Sequence, residues 1–143
     1  MYMSEYNHTI DQKGRLIIPS KFRESSGYAF VVTKGLDGCL FAYDYTGWTG
    51  FEEKLKDLPM NNPNTRQVVR FFLAGASEIE IDKQGRALIP QNLREYAGLS
   101  KDVVLIGAGN RFEIWDREKW NTYSAGDDVE ANVEAMADLG CIF

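Results

Sequence analysis

The stretch DQKGRLIIPSKFRESSG, residues 11–27, occurs a second time as DKQGRALIPQNLREYAG, residues 82–98. The two copies begin seventy-one residues apart and are identical at eight of their seventeen positions. The identical positions include a turn glycine, a proline and two arginines that stay in register, which chance similarity does not produce. The sequence therefore contains an internal duplication, and its fold depends on that duplication.

Each copy predicts a tight turn at its start. Asp11 and Asp82 begin the turns because an aspartate carboxylate accepts hydrogen bonds from nearby backbone N–H groups. Gly14 and Gly85 end them because glycine adopts a positive φ without steric cost. These four residues are the predicted turn anchors.

A short strand and a short helix are expected to follow each turn. An apolar run of three residues predicts a buried strand in each copy. Pro19 and Pro90 should end the strands and occupy the first turns of the helices, because proline lacks the N–H that a strand ladder needs. Each helix should close at Gly27 or Gly98 in the left-handed conformation.

The similarity continues beyond these helices and predicts one β-hairpin in each copy. The expected strands pair across GLDG and GAGN, as 28–34 with 39–43 and as 103–106 with 111–115. A further helix should begin at Asp44 and at Asp116, since both are favourable N-cap residues.

The duplication divides the chain into parts that are too small to fold separately. Residues 5–47 form the first repeat, 76–119 the second, 48–75 two connecting helices, and 124–143 an acidic tail. Each repeat alone is thin for an independent core. We therefore expect the repeats to interlock into one pseudo-twofold body, or several chains to assemble.

The formal net charge of −5 is distributed unevenly along the sequence. The acidic tail contributes all of it, so residues 1–123 are neutral as a group. Residues 1–35 carry a net charge of +2. The first repeat is thus locally basic, which is compatible with contacts to phosphate.

No pattern of an enzyme, a cofactor site or a metal site is found in the sequence. It has no phosphate-binding loop and no nucleophile elbow, and His8 is its only histidine. The GAGN stretch lies between two predicted strands, so it is expected to be a hairpin turn and not a dinucleotide loop. Cys39 and Cys141 are isolated, which predicts a reduced, cytosolic protein. No apolar run is long enough to span a membrane, and no small-molecule substrate is expected.

Arg15 and Arg86, which directly follow the two turns, are the main candidate functional residues. One interpretation is structural, with each guanidinium holding its own turn by a charge-assisted hydrogen bond to the turn aspartate. The other is that the turns present both arginines outward, to phosphate or to guanine O6 and N7. Two equivalent arginines across a pseudo-twofold axis match the repeating geometry of a duplex, which favours double-stranded DNA as the partner.

Three further basic residues near the first copy are candidates for DNA contacts: Lys13, Lys21 and Arg23. The matching positions of the second copy are Gln84, Asn92 and Arg94, so that copy is poorer in charge. We therefore expect the first copy to dominate DNA binding.

Two segments outside the repeats keep open interpretations. Arg66 and Arg70, one helical turn apart between the repeats, are expected to form a solvated face or to pair with nearby carboxylates, and a contact with DNA is the less favoured alternative. The tail places Val129, Val133 and Met136 on one face of a short amphipathic helix. That helix could pack on its own subunit, fray, dock on a neighbouring chain, or compete with phosphates for the basic surface.

The Asp-x-x-x-Arg motif occurs twice, and each copy is followed by an apolar run ending in Ile-Pro. In this pattern the sequence resembles the MraZ family of bacterial transcriptional regulators. This family lies within the SpoVT/AbrB-like superfamily, and the resemblance covers the chain from about Met3 to Trp120. Two copies in register make it specific. The acidic tail beyond Tyr123 lies outside the pattern.

The resemblance implies both a fold and a function. The fold would be α+β, mostly β, a double-split β-α-β arrangement in which the two repeats form a swapped-hairpin barrel. Subunits would assemble into rings of eight or more. They would bind short direct repeats in the promoter of the division and cell-wall gene cluster, usually repressing it, with Arg15 and Arg86 facing the DNA of the nucleoid. The competing functions are a ring-forming scaffold for a protein partner and an antitoxin-like module of the same superfamily.

Overall fold

The computed structural model describes residues 1–126 and 128–140. The second cysteine, Cys141, and one tail residue, Asp127, lie outside the described residues. Up to residue 75 the elements are β1 (Glu5–Thr9), β2 (Arg15–Ile17), α1 (Ser20–Ser26), β3 (Ala29–Lys34), β4 (Leu40–Tyr43), α2 (Tyr45–Lys56) and α3 (Pro63–Ala74). From residue 76 onward they are β5 (Ser77–Glu80), β6 (Arg86–Leu88), α4 (Gln91–Ala97), β7 (Asp102–Gly107), β8 (Phe112–Asp116), α5 (Arg117–Ala125) and α6 (Val129–Ala137).

The strands form two antiparallel sheets, so the fold is α+β. The larger sheet has six strands in the order β1-β7-β8-β4-β3-β5, and β2 pairs with β6 in a separate two-stranded sheet. In the larger sheet each repeat supplies the edge strand beside the hairpin of the other repeat, because β1 pairs with β7 and β5 with β3. This strand order does not confirm the predicted swapped-hairpin barrel.

The predicted hairpins and helix starts are confirmed. β3 pairs with β4 and β7 with β8, each in antiparallel register. The carboxylate of Asp44 accepts a hydrogen bond of 2.7 Å from the backbone N–H of Gly47, and that of Asp116 accepts one of 3.3 Å from Lys119. Both aspartates therefore cap the helices that follow the hairpins.

Two local predictions about the short helices were wrong in part. Pro19 and Pro90 precede the helices as N-cap residues, because their ψ angles of 139° and 145° are extended and continue the strand direction. Gly98 has the predicted left-handed conformation, with φ 61° and ψ 34°. Gly27 has φ 74° but ψ −134°, which sends the chain directly into the extended approach to β3.

The six-stranded sheet has an apolar core on each face. On one face Phe22 of α1 stacks on Phe112 of β8 at 4.9 Å between ring centroids, and Leu16 and Ala87 from the two-stranded sheet join the same core. On the other face Leu55 of α2 and side chains of α3 and α5 pack on the strands. The two-stranded sheet therefore lies on one side of the body and presents its outer face to solvent.

Helices α3 and α6 hold equivalent places in the two repeats, but they differ in packing. Each follows the helix that comes after the second hairpin strand. α3 packs on β3 and buries Phe72, whereas every residue of α6 is exposed. Among the described residues, no helix has both the length and the apolar character required to cross a bilayer.

Candidate nucleic-acid interface

The turns that precede β2 and β6 have the same hydrogen-bond pattern. In the first turn, Oδ1 of Asp11 accepts from the backbone N–H groups of Lys13 and Arg15, both at 2.9 Å. In the second, Oδ1 of Asp82 accepts from Gln84 at 2.9 Å and from Arg86 at 2.8 Å. Each carboxylate thus fixes the backbone at the start of the strand.

Hydrogen bonds to the two turn carboxylates lower their pKa values. For Asp11 the largest cause is the backbone N–H of Arg15, and the guanidinium of the same arginine adds to it. For Asp82 the backbone N–H and the guanidinium of Arg86 lower the pKa in the same way. Both aspartates are therefore held in the charged form that the arginines require.

We expect acid to weaken the turns in a defined pH range. Because the folded pKa values of Asp11 and Asp82 lie below the ordinary value of 3.8, their contribution to stability is present above that value. It is lost as the pH falls from there through the folded pKa values. Urea unfolding at pH 7, 5, 4 and 3 should show the loss.

The double variant Asp11→Asn/Asp82→Asn is the control for this pH dependence, because it keeps all other titratable groups. Its unfolding midpoint should fall less between pH 5 and pH 3 than that of the unmodified protein. Equal losses in the two proteins would mean that the turn carboxylates are not responsible.

Each motif arginine is anchored at one end only. Nε of Arg15 donates to Oδ2 of Asp11 at 2.7 Å, and Nε of Arg86 donates to Oδ2 of Asp82 at 2.9 Å. The side chains of Arg15 and Arg86 are 32% and 29% exposed. In the described part of the chain, their Nη atoms make no hydrogen bond. Each guanidinium therefore holds its own turn through Nε, and contact of the Nη atoms with DNA stays a prediction.

The two-stranded sheet, which we call the β2–β6 ribbon, brings both arginines to one surface. Arg15 lies opposite Leu88 and Ile17 lies opposite Arg86. Ile17 and Leu88 are 47% and 55% exposed, whereas the central pair, Leu16 and Ala87, is fully buried. Because side chains alternate across a strand, the outer face carries two arginines and two apolar side chains in a diagonal arrangement.

Two further arginines, Arg23 and Arg94, each pack against the turn of the other repeat. Nε of Arg23 donates to the carbonyl of Ile18 at 2.9 Å, and its guanidinium lies against Gly85, where an added Cβ would be 2.7 Å from Nη1. Arg94 lies in the same way against Gly14, where an added Cβ would be 2.7 Å from Cζ. Arg23, predicted as a DNA contact, is therefore partly buried beside the second turn.

The lysines are distributed differently from the sequence expectation. Lys13 is exposed on the first turn, while Lys21 lies on α1 and lines a cleft with N-terminal residues. Lys83 is exposed on the second turn, and Lys101 lines a cleft beside the first turn with Asp11. Each turn therefore carries one exposed lysine, and the expectation that the first copy dominates DNA binding stays a prediction.

Sequence reasoning missed both of these lysines. Lys83 is detectable in the alignment, because the pair Gln12 and Lys13 is matched by Lys83 and Gln84 in the opposite order. Lys101 reaches the first turn only through the strand exchange, where its carbonyl accepts from the N–H of Ile10 at 2.8 Å. No local sequence signal reports that neighbourhood.

A family model matches the chain twice, in agreement with the duplicated motif. The family model described as "MraZ protein" and as antitoxin-like matches residues 1–71 and again residues 72–139. The second match includes α6, so the expectation that the tail beyond Tyr123 lies outside the family pattern was wrong.

Similar proteins match over nearly the whole chain. "Transcriptional regulator MraZ" of Acetivibrio thermocellus is 56% identical over 142 residues, which covers 98% of this chain and 99% of the relative. The protein of the same name from Clostridium tetani is 57% identical over 141 residues, with the same coverage. That from Moorella thermoacetica is 54% identical, covering 97% and 99%. With two matches of the family model and relatives at this identity, the chain belongs to the MraZ family.

Proposed function

We propose that this protein is a sequence-specific DNA-binding transcriptional regulator whose β2–β6 ribbon enters the major groove. The observation that carries the proposal is the outer face of the ribbon, where Arg15 and Arg86 are anchored through Nε and keep their Nη donors for a ligand. The major groove is about 12 Å wide and admits a two-stranded β-ribbon. The relatives that match over the full length are named transcriptional regulators, which supports the same function.

The side chains of the outer face suit the edges of base pairs. The Nη atoms of Arg15 and Arg86 are proposed to donate to O6 and N7 of guanine, the most common specific contact in DNA recognition. Ile17 and Leu88 are proposed to contact thymine methyl groups, which are the apolar feature of the same groove. The ribbon would thereby read a short site of mixed composition.

The surrounding residues are proposed to position the ribbon on the DNA backbone. The lysines proposed for phosphate contacts are Lys13, Lys21, Lys83 and Lys101. Arg23 uses its Nε for the carbonyl of Ile18, so its proposed phosphate contact is restricted to its Nη atoms. The proposed turn anchors are Asp11, Gly14, Asp82 and Gly85. Contacts with phosphate fix the register without reading the sequence.

The strands of both sheets are proposed to close into a swapped-hairpin barrel. Isolated bridges join Ile10 to Leu16 and Ile81 to Ala87. They connect each edge of the six-stranded sheet to the β2–β6 ribbon, which supports a continuous circuit of strands. In such a body the ribbon would be held at both ends and would resist bending against DNA.

Assembly is proposed to be a ring of eight or more subunits that binds its own promoter, in the division and cell-wall gene cluster, and represses it. Subunits of a ring are related by rotation, so DNA bent along one face meets each subunit in the same orientation. The ring would act in the cytoplasm, at the nucleoid. No membrane, cofactor or small-molecule substrate enters the proposal.

Two competing functions are less well supported. A scaffold that buries the motif arginines in subunit ion pairs would have to satisfy Nη atoms that, within the described residues, have no partner. An antitoxin-like module would be expected to carry one repeat and to use its tail to mask a toxin. The family model, whose description includes antitoxin-like, matches this chain twice, and two repeats with paired arginines differ from the single repeat expected of such a module.

The orientation of the operator tests the proposal. We expect tight binding to direct repeats spaced by about one helical turn, roughly 10 base pairs, and weak binding to the same sites inverted. Affinity should also fall steeply with salt, with a log–log slope of roughly −0.9 per neutralised phosphate. Gel shifts with the protein's own upstream DNA, its inverted form and the Arg15→Ala variant measure both effects. Equal affinity for both orientations would contradict the assembly, and a slope near zero would contradict the DNA interface.

A further inference from the structure

Helix α6 exposes an apolar row and an acidic row side by side. Val129, Val133 and Met136 are separated by four and three residues, so they form one row on the helix surface, and all three are exposed. Glu130 and Glu134, four residues apart, form the adjacent row. An isolated helix of nine residues is marginal in water. A surface that covers the apolar row is therefore needed for α6 to be stable.

Helix α3 exposes a surface of complementary charge. Arg66 and Arg70 are four residues apart, and exposed Leu73 continues the same row three residues later. Neither arginine forms an ion pair with any residue in 1–126 or 128–140. α3 contains no acidic residue, whereas α6 contains no basic one. The two helices thus offer opposite charges beside exposed apolar side chains.

Helix α6 does not cover α3 within its own subunit. Every residue of α6 is exposed, so no described residue of the same chain buries its apolar row. α5, which precedes α6, packs on β7 and β8, whereas α3 packs on β3, three strand spacings or about 14 Å from β7. A second copy presents the same α3 surface and is therefore the proposed occupant.

We propose that α6 of one subunit docks along α3 of a second copy, with Glu130 and Glu134 facing Arg66 and Arg70. The apolar row of α6 covers Leu73 and the exposed Met60, whose carbonyl accepts a hydrogen bond from Arg66. The lengths fit, since α6 spans about 14 Å and α3 about 18 Å. The contact joins two different surfaces, so repeated head to tail it forms a ring when the rotation between neighbouring subunits closes. The inference deepens the proposed assembly and rests on it.

Charge exchange in the full-length chain tests the contact. The double variants Glu130→Lys/Glu134→Lys and Arg66→Glu/Arg70→Glu turn both attractive pairs into repulsive ones. Each should raise the concentration needed for half-assembly about tenfold or more, because like charges facing each other across an interface are strongly unfavourable. The fourfold variant restores opposite charges and should restore assembly. Sedimentation velocity without DNA measures the mass in each case.

A matched control and separate outcomes make the experiment decisive. Lys54→Glu/Lys56→Glu changes the charge of the neighbouring α2 by the same amount as the α3 variant and should leave the mass unaltered. The docking is overturned if the unmodified protein is a monomer, if either α6 or α3 variant keeps the original mass, or if the fourfold variant stays dissociated. Packing of α6 on its own subunit would give an unaltered mass. A chain that assembles in this way and binds no DNA would refute the proposed regulator and leave the interface standing.

Discussion

Replacing Arg15 and Arg86 together by alanine is expected to abolish specific DNA binding while the fold and the assembly stay intact. Both guanidinium groups lie on the outer face of the β2–β6 ribbon, and their removal leaves the buried pair of the ribbon, Leu16 and Ala87, in place. A bidentate arginine–guanine contact contributes about 1–3 kcal/mol of discrimination. Loss of both should cost about 2–6 kcal/mol per subunit, roughly 30-fold to 10⁴-fold in affinity.

Fluorescence anisotropy at fixed salt, with a duplex of direct repeats, measures this loss. Because the subunits of a ring bind one DNA together, the loss per subunit is multiplied in the avidity of the assembly. Circular dichroism and sedimentation should give the same values as for the unmodified protein. An affinity within about twofold of the original would refute the proposed interface, because a single arginine–guanine contact contributes more than that.

Two further variants separate reading of bases from attraction to phosphate. Arg15→Lys keeps the charge but loses the planar group, so specificity should fall more than the overall affinity. Lys13→Ala should weaken binding to all sequences equally and reduce the salt slope by about 0.9. If the double arginine variant behaved like Lys13→Ala, the arginines would be phosphate contacts and the ribbon would not read sequence. A variant that no longer assembles would indicate a structural role instead.

Alanine at Gly14 or Gly85 is expected to destabilise the protein by about 2.5–5 kcal/mol at each site. The φ angles are 89° and 79°, and the left-handed region costs a non-glycine residue about 1–2 kcal/mol. The new Cβ would also lie 2.7 Å from the guanidinium of Arg94 or Arg23. Moving that side chain breaks its hydrogen bond to the carbonyl of Ile89 or Ile18, at about 1.5–3 kcal/mol for a charged donor.

Two other glycines separate the backbone cost from the clash. Gly109 has φ 83° and an added Cβ there meets nothing within 4 Å, so Gly109→Ala should show the cost of a positive φ without a clash. Gly50 lies inside α2 with equally open space, and Gly50→Ala should stabilise the protein by about 1 kcal/mol. Denaturant unfolding of the variants gives the comparison. A stabilising contact between Arg23 and Gly85 is refuted if Gly85→Ala costs no more than Gly109→Ala, or if adding Arg23→Ala to Gly85→Ala recovers none of the difference.

The turns, strands and helix starts around the interface could be predicted from local chemistry. The pairing of strands that are distant in the sequence could not. The turn residues, the apolar runs and the N-cap aspartates Asp44 and Asp116 act on their own neighbours, so the sequence predicts the hairpins and the helix starts. A period of two residues indicates which face of a strand is buried but not which strand lies beside it. The exchange of β1 and β5 between the repeats therefore had no signal, and neither had the place of Lys101.

The interface illustrates the same limit at the level of side chains. The duplication identified two pairs of equivalent arginines, Arg15 with Arg86 and Arg23 with Arg94. In the structure the first pair faces solvent, while the second pair packs against glycines of the opposite repeat. Identical residue types thus separate into an outer pair and an inner pair. The exchange of strands between the two repeats determines which pair faces solvent and which pair packs against the opposite repeat.

The exchange of edge strands also determines when this protein can fold during its synthesis. Thr9 at the end of β1 pairs with Asp102 at the start of β7, ninety-three residues later in the chain. At a translation rate of roughly 5–20 residues per second, the first strand waits about 5–20 s for its partner to be made. The nascent first repeat meanwhile holds its hairpin without a bordering strand. Completion of the body therefore waits for the synthesis of β7, and slow, non-local pairing governs its rate.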